Sequence, residues 1–275
     1  SNVFSSPDLK TWTDEGTVLD VKSDQVKWAK GNAWAPAAIE VKQKDGSYKY
    51  FLYFSADAGK RKEIGVAVSD SPTGPFIDNG APIISDSPVG RGQQIDVDVF
   101  IDPKSKKPYI YWGNGYMAGA QLNSDMVSVK KETIKVMTPE GGTKQTWQFR
   151  EAPYVFYRKG TYYFLWSVDD TGSPNYHVCY GTAKSPLGPI TVAENPIILK
   201  QVPELGIYGT AHNSVLQIPG KDEWYIVYHR INKHFLHPDK GPGIHREVCI
   251  DRMFFDKKGN IIPVIPTLNG PLDNK

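Results

Sequence analysis

The sequence predicts an all-β fold, a five-bladed β-propeller, on three observations. Short aromatic and β-branched runs dominate with no long amphipathic helix among them, turn residues separate the runs, and four strand-opening segments return at a loose period. The segments are Trp34-Ala35-Pro36, Ile95-Asp96-Val97-Asp98-Val99-Phe100, Glu151-Ala152-Pro153-Tyr154 and Thr210-Ala211-His212-Asn213-Ser214-Val215. Trp34, Asp96, Glu151 and His212 follow one another at steps of 62, 55 and 61 residues. Small antiparallel sheets repeated around one axis place their first strands nearest that axis, so distant residues are expected to converge on a central pocket. Asp96, Glu151 and His212 are the acidic and imidazole side chains so placed.

The elements follow in order. Ser5-Ser6-Pro7-Asp8-Leu9-Lys10-Thr11-Trp12 opens the chain as the outer half of a blade. Strand signals then stand at residues 48–54, 64–68, 109–112, 161–166 and 224–228, each rich in Tyr, Phe, Trp, Ile or Val. Lys44-Asp45-Gly46-Ser47, Arg158-Lys159-Gly160, Gly220-Lys221-Asp222 and Lys258-Gly259-Asn260 supply hairpin turns. Val68-Ser69-Asp70-Ser71-Pro72-Thr73-Gly74-Pro75-Phe76 recurs in outline as Ala183-Lys184-Ser185-Pro186-Leu187-Gly188-Pro189-Ile190, an outer-edge turn of the repeated unit. Residues 1–275 therefore read as a single propeller domain with its first blade incomplete at the N-terminus. A β-sandwich or jelly roll also yields many short strands, but predicts no period near sixty residues.

Lys and Arg number 32 against 30 Asp and Glu, with no long run of either sign. That balance suits a neutral small molecule or glycan better than a polyanion, and argues against a nucleic-acid partner. No apolar stretch approaches the length of a membrane span, and residues 1–6 lack the basic and apolar regions of a signal peptide, so no membrane insertion is expected. Cys179 and Cys249 lie in apolar strand-like runs without ligand-like spacing, and read as buried free thiols.

Glycosidic bonds hydrolyse when one protonated carboxyl gives its proton to the leaving oxygen and an ionised carboxylate activates water. Glu151, followed by Ala-Pro and an aromatic strand, suits the acid, because partial desolvation favours its protonated form. Asp96 would push in the same direction as a neighbouring like charge. A solvated turn residue is the alternative for either. Asp98, two residues on, is expected on the same strand face as Asp96, and Asp102-Pro103 reads as a turn starter. His212 suits a crowded axis, where it would bind a metal, a water or a neighbouring strand. His229, His234, His237 and His245 lie irregularly spaced in a stretch that reads as a loop first. Trp34 and Tyr208 offer flat faces for stacking on a sugar, with core packing as the alternative. Arg246, next to Glu247, could bind sugar hydroxyls or a catalytic carboxylate, with a salt bridge within the sheet as the alternative.

Trp34-Ala35-Pro36, Ile95-Asp96 with Phe100, Glu151-Ala152-Pro153, Thr210–Val215 and His245-Arg246-Glu247-Val248-Cys249-Ile250-Asp251-Arg252, in this order, make the chain resemble glycoside hydrolase family 43 from Val3 to about Pro271. The resemblance implies a five-bladed propeller that removes arabinose or xylose from plant polysaccharides by single displacement with inversion. By the same resemblance Glu151 matches the general acid, Asp96 the aspartate that tunes that acid, and Arg246 an arginine near the sugar. His212 matches a histidine that in several members holds calcium through water, so no cofactor is required beyond a candidate structural calcium. The family's general base is an aspartate on the innermost strand of the first blade, upstream of Ser5–Trp12 and outside this numbering; Asp8 and Asp14 lie on the outer turn.

An exo-acting glycosidase releasing terminal α-L-arabinofuranosyl or β-D-xylosyl residues from arabinose- or xylose-containing glycans is the function expected. An endo-acting arabinanase or xylanase would need an open groove, which a loop such as residues 232–238 would wall off. A non-catalytic carbohydrate-binding propeller needs aromatic platforms but no tuned acid. The resemblance suggests a secreted or periplasmic bacterial protein whose signal peptide lies outside this sequence.

Overall fold

The computed structural model describes residues 1–85, 92–232, 234 and 244–271. The chain divides into two compact units, Ser1–Val136 and Met137–Lys275. All regular structure in the described residues is β apart from two short 3-10 turns, as the aromatic runs predict.

The first unit begins with a ribbon of β1 (Asn2–Ser5) and β2 (Thr13–Thr17). A four-stranded antiparallel meander follows, made of β3 (Ala33–Lys42), β4 (Tyr48–Asp57), β5 (Lys62–Ser69) and β6 (Ile77–Asp78). A second meander holds β7 (Asp98–Ile101), β8 (Pro108–Trp112), β9 (Ala118–Gln121) and β10 (Lys135–Val136). Strands β4 and β8 carry apolar residues on both faces because each is sandwiched within its sheet stack, which gives continuous hydrophobic runs rather than alternation. Tyr53, Ile64, Val66, Val99, Ile110 and Trp112 form the core between the two meanders. Tyr53 caps it by donating its hydroxyl to the Met126 carbonyl at 2.6 Å. A separate cluster around Leu19, Phe54 and Phe76 seals the first meander against the residues that follow the ribbon.

The second unit repeats the plan. One meander is β11 (Glu151–Arg158), β12 (Thr161–Val168), β13 (His177–Ala183) and β14 (Thr191–Leu199); the other is β15 (Ala211–Gln217), β16 (Trp224–Ile231), β17 (Arg246–Phe255) and β18 (Ile261–Ile262). Their shared core is aromatic. The rings of Phe156 and Tyr163 stack at 4.8 Å, with Trp224 at 5.1 Å and Phe255 edge-on at 6.2 Å from Phe156. Such pairs add roughly 0.5–1.5 kcal/mol each beyond their buried area. Tyr154 and Tyr163 reach across to the carbonyls of Val215 and Gly259 at 2.8 and 2.6 Å.

The described residues thus build four propeller-type blades, not the five expected. The opening segment, read as the outer half of a fifth blade, pairs only with itself as the β1–β2 ribbon, so its Ser-Pro turn resembles a blade edge without belonging to a four-stranded sheet. The matched outer-edge turns do hold, with Gly74 and Gly188 at φ 81° and 70° and each donating its N–H to the serine three residues earlier.

Candidate active site

The first strand of every four-stranded sheet breaks its pairing at the same place. Register jumps from Trp34 to Ala37 in β3, from Glu151 to Tyr154 in β11 and from Ala211 to Ser214 in β15. Ahead of β7, Ile95 accepts the Gly113 N–H and regular pairing resumes at Asp98. The residue just inside each break has a positive φ: Ala35 at 37°, Asp96 at 60°, Ala152 at 58° and His212 at 53°. This region admits small residues and is enriched in Asp and His, whose polar groups offset its cost locally. Bulges of this kind re-aim a side chain out of the regular pleat.

These breaks set a strict equivalence. Trp34, Ile95, Glu151 and Ala211 share one slot; Ala35, Asp96, Ala152 and His212 share the next. Asp96 and His212 therefore correspond, whereas Glu151 lies one slot earlier with Trp34, which corrects the expectation that the three occupy like positions. The same geometry corrects the pairing of Asp96 with Asp98. A positive φ at Asp96 interrupts strand alternation, so two-residue spacing does not place both side chains on one face.

Within Met137–Lys275, Glu151 is buried, and the buried Tyr176 donates its hydroxyl to Glu151 Oε1 at 2.6 Å. Ser167, fully buried opposite Glu151 in the β11–β12 pair, accepts the His212 main-chain N–H at 2.9 Å. The His229 ring lies 5.7 Å from that of Tyr176, nearly parallel, and 6.1 Å from that of His212. Glu151, Tyr176, His229, His212 and Ser167 thus form one assembly. His229 belongs to β16 and not to a loop, a correction that arises because strand pairing continues past Tyr228 through Arg230. His237 and residues 235–238 of the proposed wall lie outside the described residues.

Arg246, exposed at the start of β17, donates to Thr171 Oγ1 at 3.2 Å. Glu247 turns instead to Arg230 and Asn232, so Arg246 is not its sheet partner. Tyr208 is half-buried, and its carbonyl accepts the Ile231 N–H at 2.9 Å.

Burial pushes the His212 pKa down; the Glu151 carboxylate opposes that shift and the Arg246 charge adds to it. Burial likewise pushes His229 down to about 3, reinforced by His212 and Arg246. Both ring nitrogens of His229 are buried without a hydrogen-bond partner among the described residues, which accords with a neutral ring. Calcium prefers oxygen ligands, and an imidazole nitrogen suits softer metals. His212 would therefore meet a calcium ion through a bound water rather than directly.

Within Ser1–Val136, Asp96 and Asp98 are both buried, and Asp102 is the turn starter expected, accepting the Lys104 and Ser105 N–H groups. A cleft of about 500 Å³ is lined by Trp34, Asp57, Arg61, Lys62, Gln93 and Gln94 among others. Lys62 Nζ stands 4.3 Å from the Trp34 ring centre. Gln94 is fixed by accepting from both Trp112 Nε1 and the Tyr116 hydroxyl.

Tyr176 and Ser167 escaped sequence reasoning. Tyr176 follows Ser173-Pro174-Asn175, a turn signal, and only its aromatic character two residues before Val178 hinted at a buried role; Ser167 carried no signal.

The pattern described as glycosyl hydrolases family 43 matches residues 1–261. A β-D-galactofuranosidase of Aspergillus niger is 34% identical over 98% of this chain and 75% of its own length. An arabinoxylan arabinofuranohydrolase of Bacillus subtilis is 30% identical over 98% of this chain, which spans only about half (55%) of that relative. The crystal structure of a thermostable family-43 glycoside hydrolase superposes with a TM-score of 0.81 at 29% identity, covering 98% of this chain and 86% of the other.

Proposed function

The chain belongs to glycosyl hydrolases family 43, and we propose that this glycosidase removes terminal α-L-arabinofuranosyl or β-D-xylosyl residues from arabinose- or xylose-containing glycans, with inversion. The observation that carries the reading is Glu151, a buried carboxyl at a strand bulge whose Oε1 is held by a buried phenol. A carboxyl so placed can, in its protonated form, give its proton to the glycosidic oxygen as the bond to the anomeric carbon breaks. An ionised carboxylate on the opposite sugar face takes a proton from the attacking water, which reverses the configuration. Asp96 is assigned, from the family pattern, the tuning of that acid. Trp34 and Tyr208 supply sugar-facing aromatic surfaces, while Arg246 and His212 bind sugar hydroxyls. Calcium, if bound, is held through water at His212 and organises charge rather than carrying protons. Glycans of this class are extracellular, which supports a secreted or periplasmic bacterial protein.

A second reading has a specific basis in the galactofuranosidase relative. β-D-Galactofuranose shares the ring configuration of α-L-arabinofuranose and carries one further hydroxymethyl group on its exocyclic carbon, so a furanose pocket with extra depth would take it. Nitrophenyl glycosides of α-L-arabinofuranose, β-D-xylopyranose and β-D-galactofuranose, with proton NMR of the first-formed sugar, test both. Release of the inverted anomer from either of the first two supports the proposal; release from galactofuranoside alone replaces it with the second reading, and retention of configuration contradicts both.

A further inference from the structure

Tyr176 is fully buried, reaches Glu151 Oε1 at 2.6 Å and lies almost parallel to the His229 ring, 26° between planes. His229 is itself held in β16 by pairing with Ala211 and Val248 on either side. Its nitrogens make no hydrogen bond among the described residues, so the ring offers Tyr176 a flat face without competing for its hydroxyl.

We infer that Tyr176 is a positioning residue for the acid, with His229 as the plate that fixes the phenol, and that the transferable proton of Glu151 is thereby assigned to Oε2. The inference rests on the reading of Glu151 as general acid. A phenol that donates to Oε1 makes that oxygen the carbonyl acceptor of the neutral acid, so the proton stands on the other oxygen. As Oε2 gives its proton to the leaving oxygen, negative charge develops on the carboxyl and the bond from Tyr176 strengthens, because a charged acceptor holds a donor more tightly than a neutral one. An interaction that strengthens along the reaction lowers the barrier, unlike one already complete in the bound state.

Substrates with different leaving groups separate this role from a merely structural one. Tyr176→Phe keeps the ring and its stacking and removes only the hydroxyl. On an unactivated disaccharide, where proton donation limits the rate, kcat is expected to fall about 10- to 100-fold with KM within about 2-fold. On a dinitrophenyl glycoside, whose leaving group needs no proton, the loss is expected to stay under about 3-fold. His229→Leu, which keeps the hydroxyl but removes the plate, should show the same pattern at smaller amplitude, and decides the matter if Tyr176→Phe does not fold. Equal losses on both substrates, or none, overturn the inference. Glu151→Gln measured alongside keeps the two ideas apart. If it loses the disaccharide activity while the other two variants keep it, only the positioning role falls; if it keeps that activity, the acid assignment falls and takes the positioning role with it.

Discussion

His212 donates its main-chain N–H to the Ser167 hydroxyl at 2.9 Å, and Ser167 stands directly opposite Glu151 in the adjoining strand pair. One buried hydroxyl therefore ties the bulge that carries His212 to the bulge that carries Glu151. Ser167→Ala leaves a buried N–H without its acceptor, at a cost of about 1–3 kcal/mol. Urea unfolding should show a lower midpoint with unchanged slope; an unchanged midpoint would mean the bond is not formed in solution.

Acid should weaken the fold through His229. Its native pKa near 3 lies below the ordinary imidazole value of about 6.5, so between those limits the unfolded chain binds more protons than the native one. The stabilising contribution is fully present above pH ~6.5 and is lost progressively as pH falls toward about 3. His212 acts in the same direction. Melting temperatures across this window should fall less steeply for His229→Gln than for wild type, and parallel curves would count against a buried neutral ring.

Trp34 should govern binding more than chemistry. It lines the cleft of the first unit with Lys62 over its ring. Trp34→Ala is expected to raise KM roughly 5- to 50-fold with a smaller change in kcat, as loss of an aromatic platform does. Lys62→Met should change KM by no more than about 5-fold, since a cation–π contact at a partly exposed site is worth roughly 0.5–1 kcal/mol. Unchanged KM in Trp34→Ala would remove it from the sugar site.

Both thiols should resist alkylation. Cys179 and Cys249 are unpaired, and burial pushes both upward, Cys249 to about 12. Thiolate is the reactive form, so iodoacetamide at pH 8 should label the native protein far more slowly than the urea-unfolded chain. Equal rates would show that these strands open readily.

The all-β class and most strands were legible because aromatic and β-branched runs such as Tyr48–Asp57 and Thr161–Val168 fill central strands that no helix pattern imitates. The anchor segments were legible too, since Trp-Ala-Pro and Glu-Ala-Pro mark the two bulges with an alanine inside. Blade number was not. The Ser-Pro turn near Pro7 looks like those near Pro72 and Pro186, and similarity of a turn says nothing about how many strands it joins. The one-slot offset of Glu151 from Asp96 and His212 was also invisible, because it depends on which residue takes the positive φ, and Ala152 tolerates it as silently as Ala35 does. Tyr176, just ahead of β13, and His229 and Ser167 in their strands act through contacts between residues far apart in sequence, which no local pattern announces.

The kcat of Glu151→Gln on an unactivated arabinose- or xylose-containing disaccharide, set beside wild type, bears most directly on the acid role. Loss of a general acid should lower it by about 10²- to 10⁴-fold, with far less loss on a dinitrophenyl glycoside. Wild-type kcat on the disaccharide would contradict the assignment of Glu151 as the proton donor.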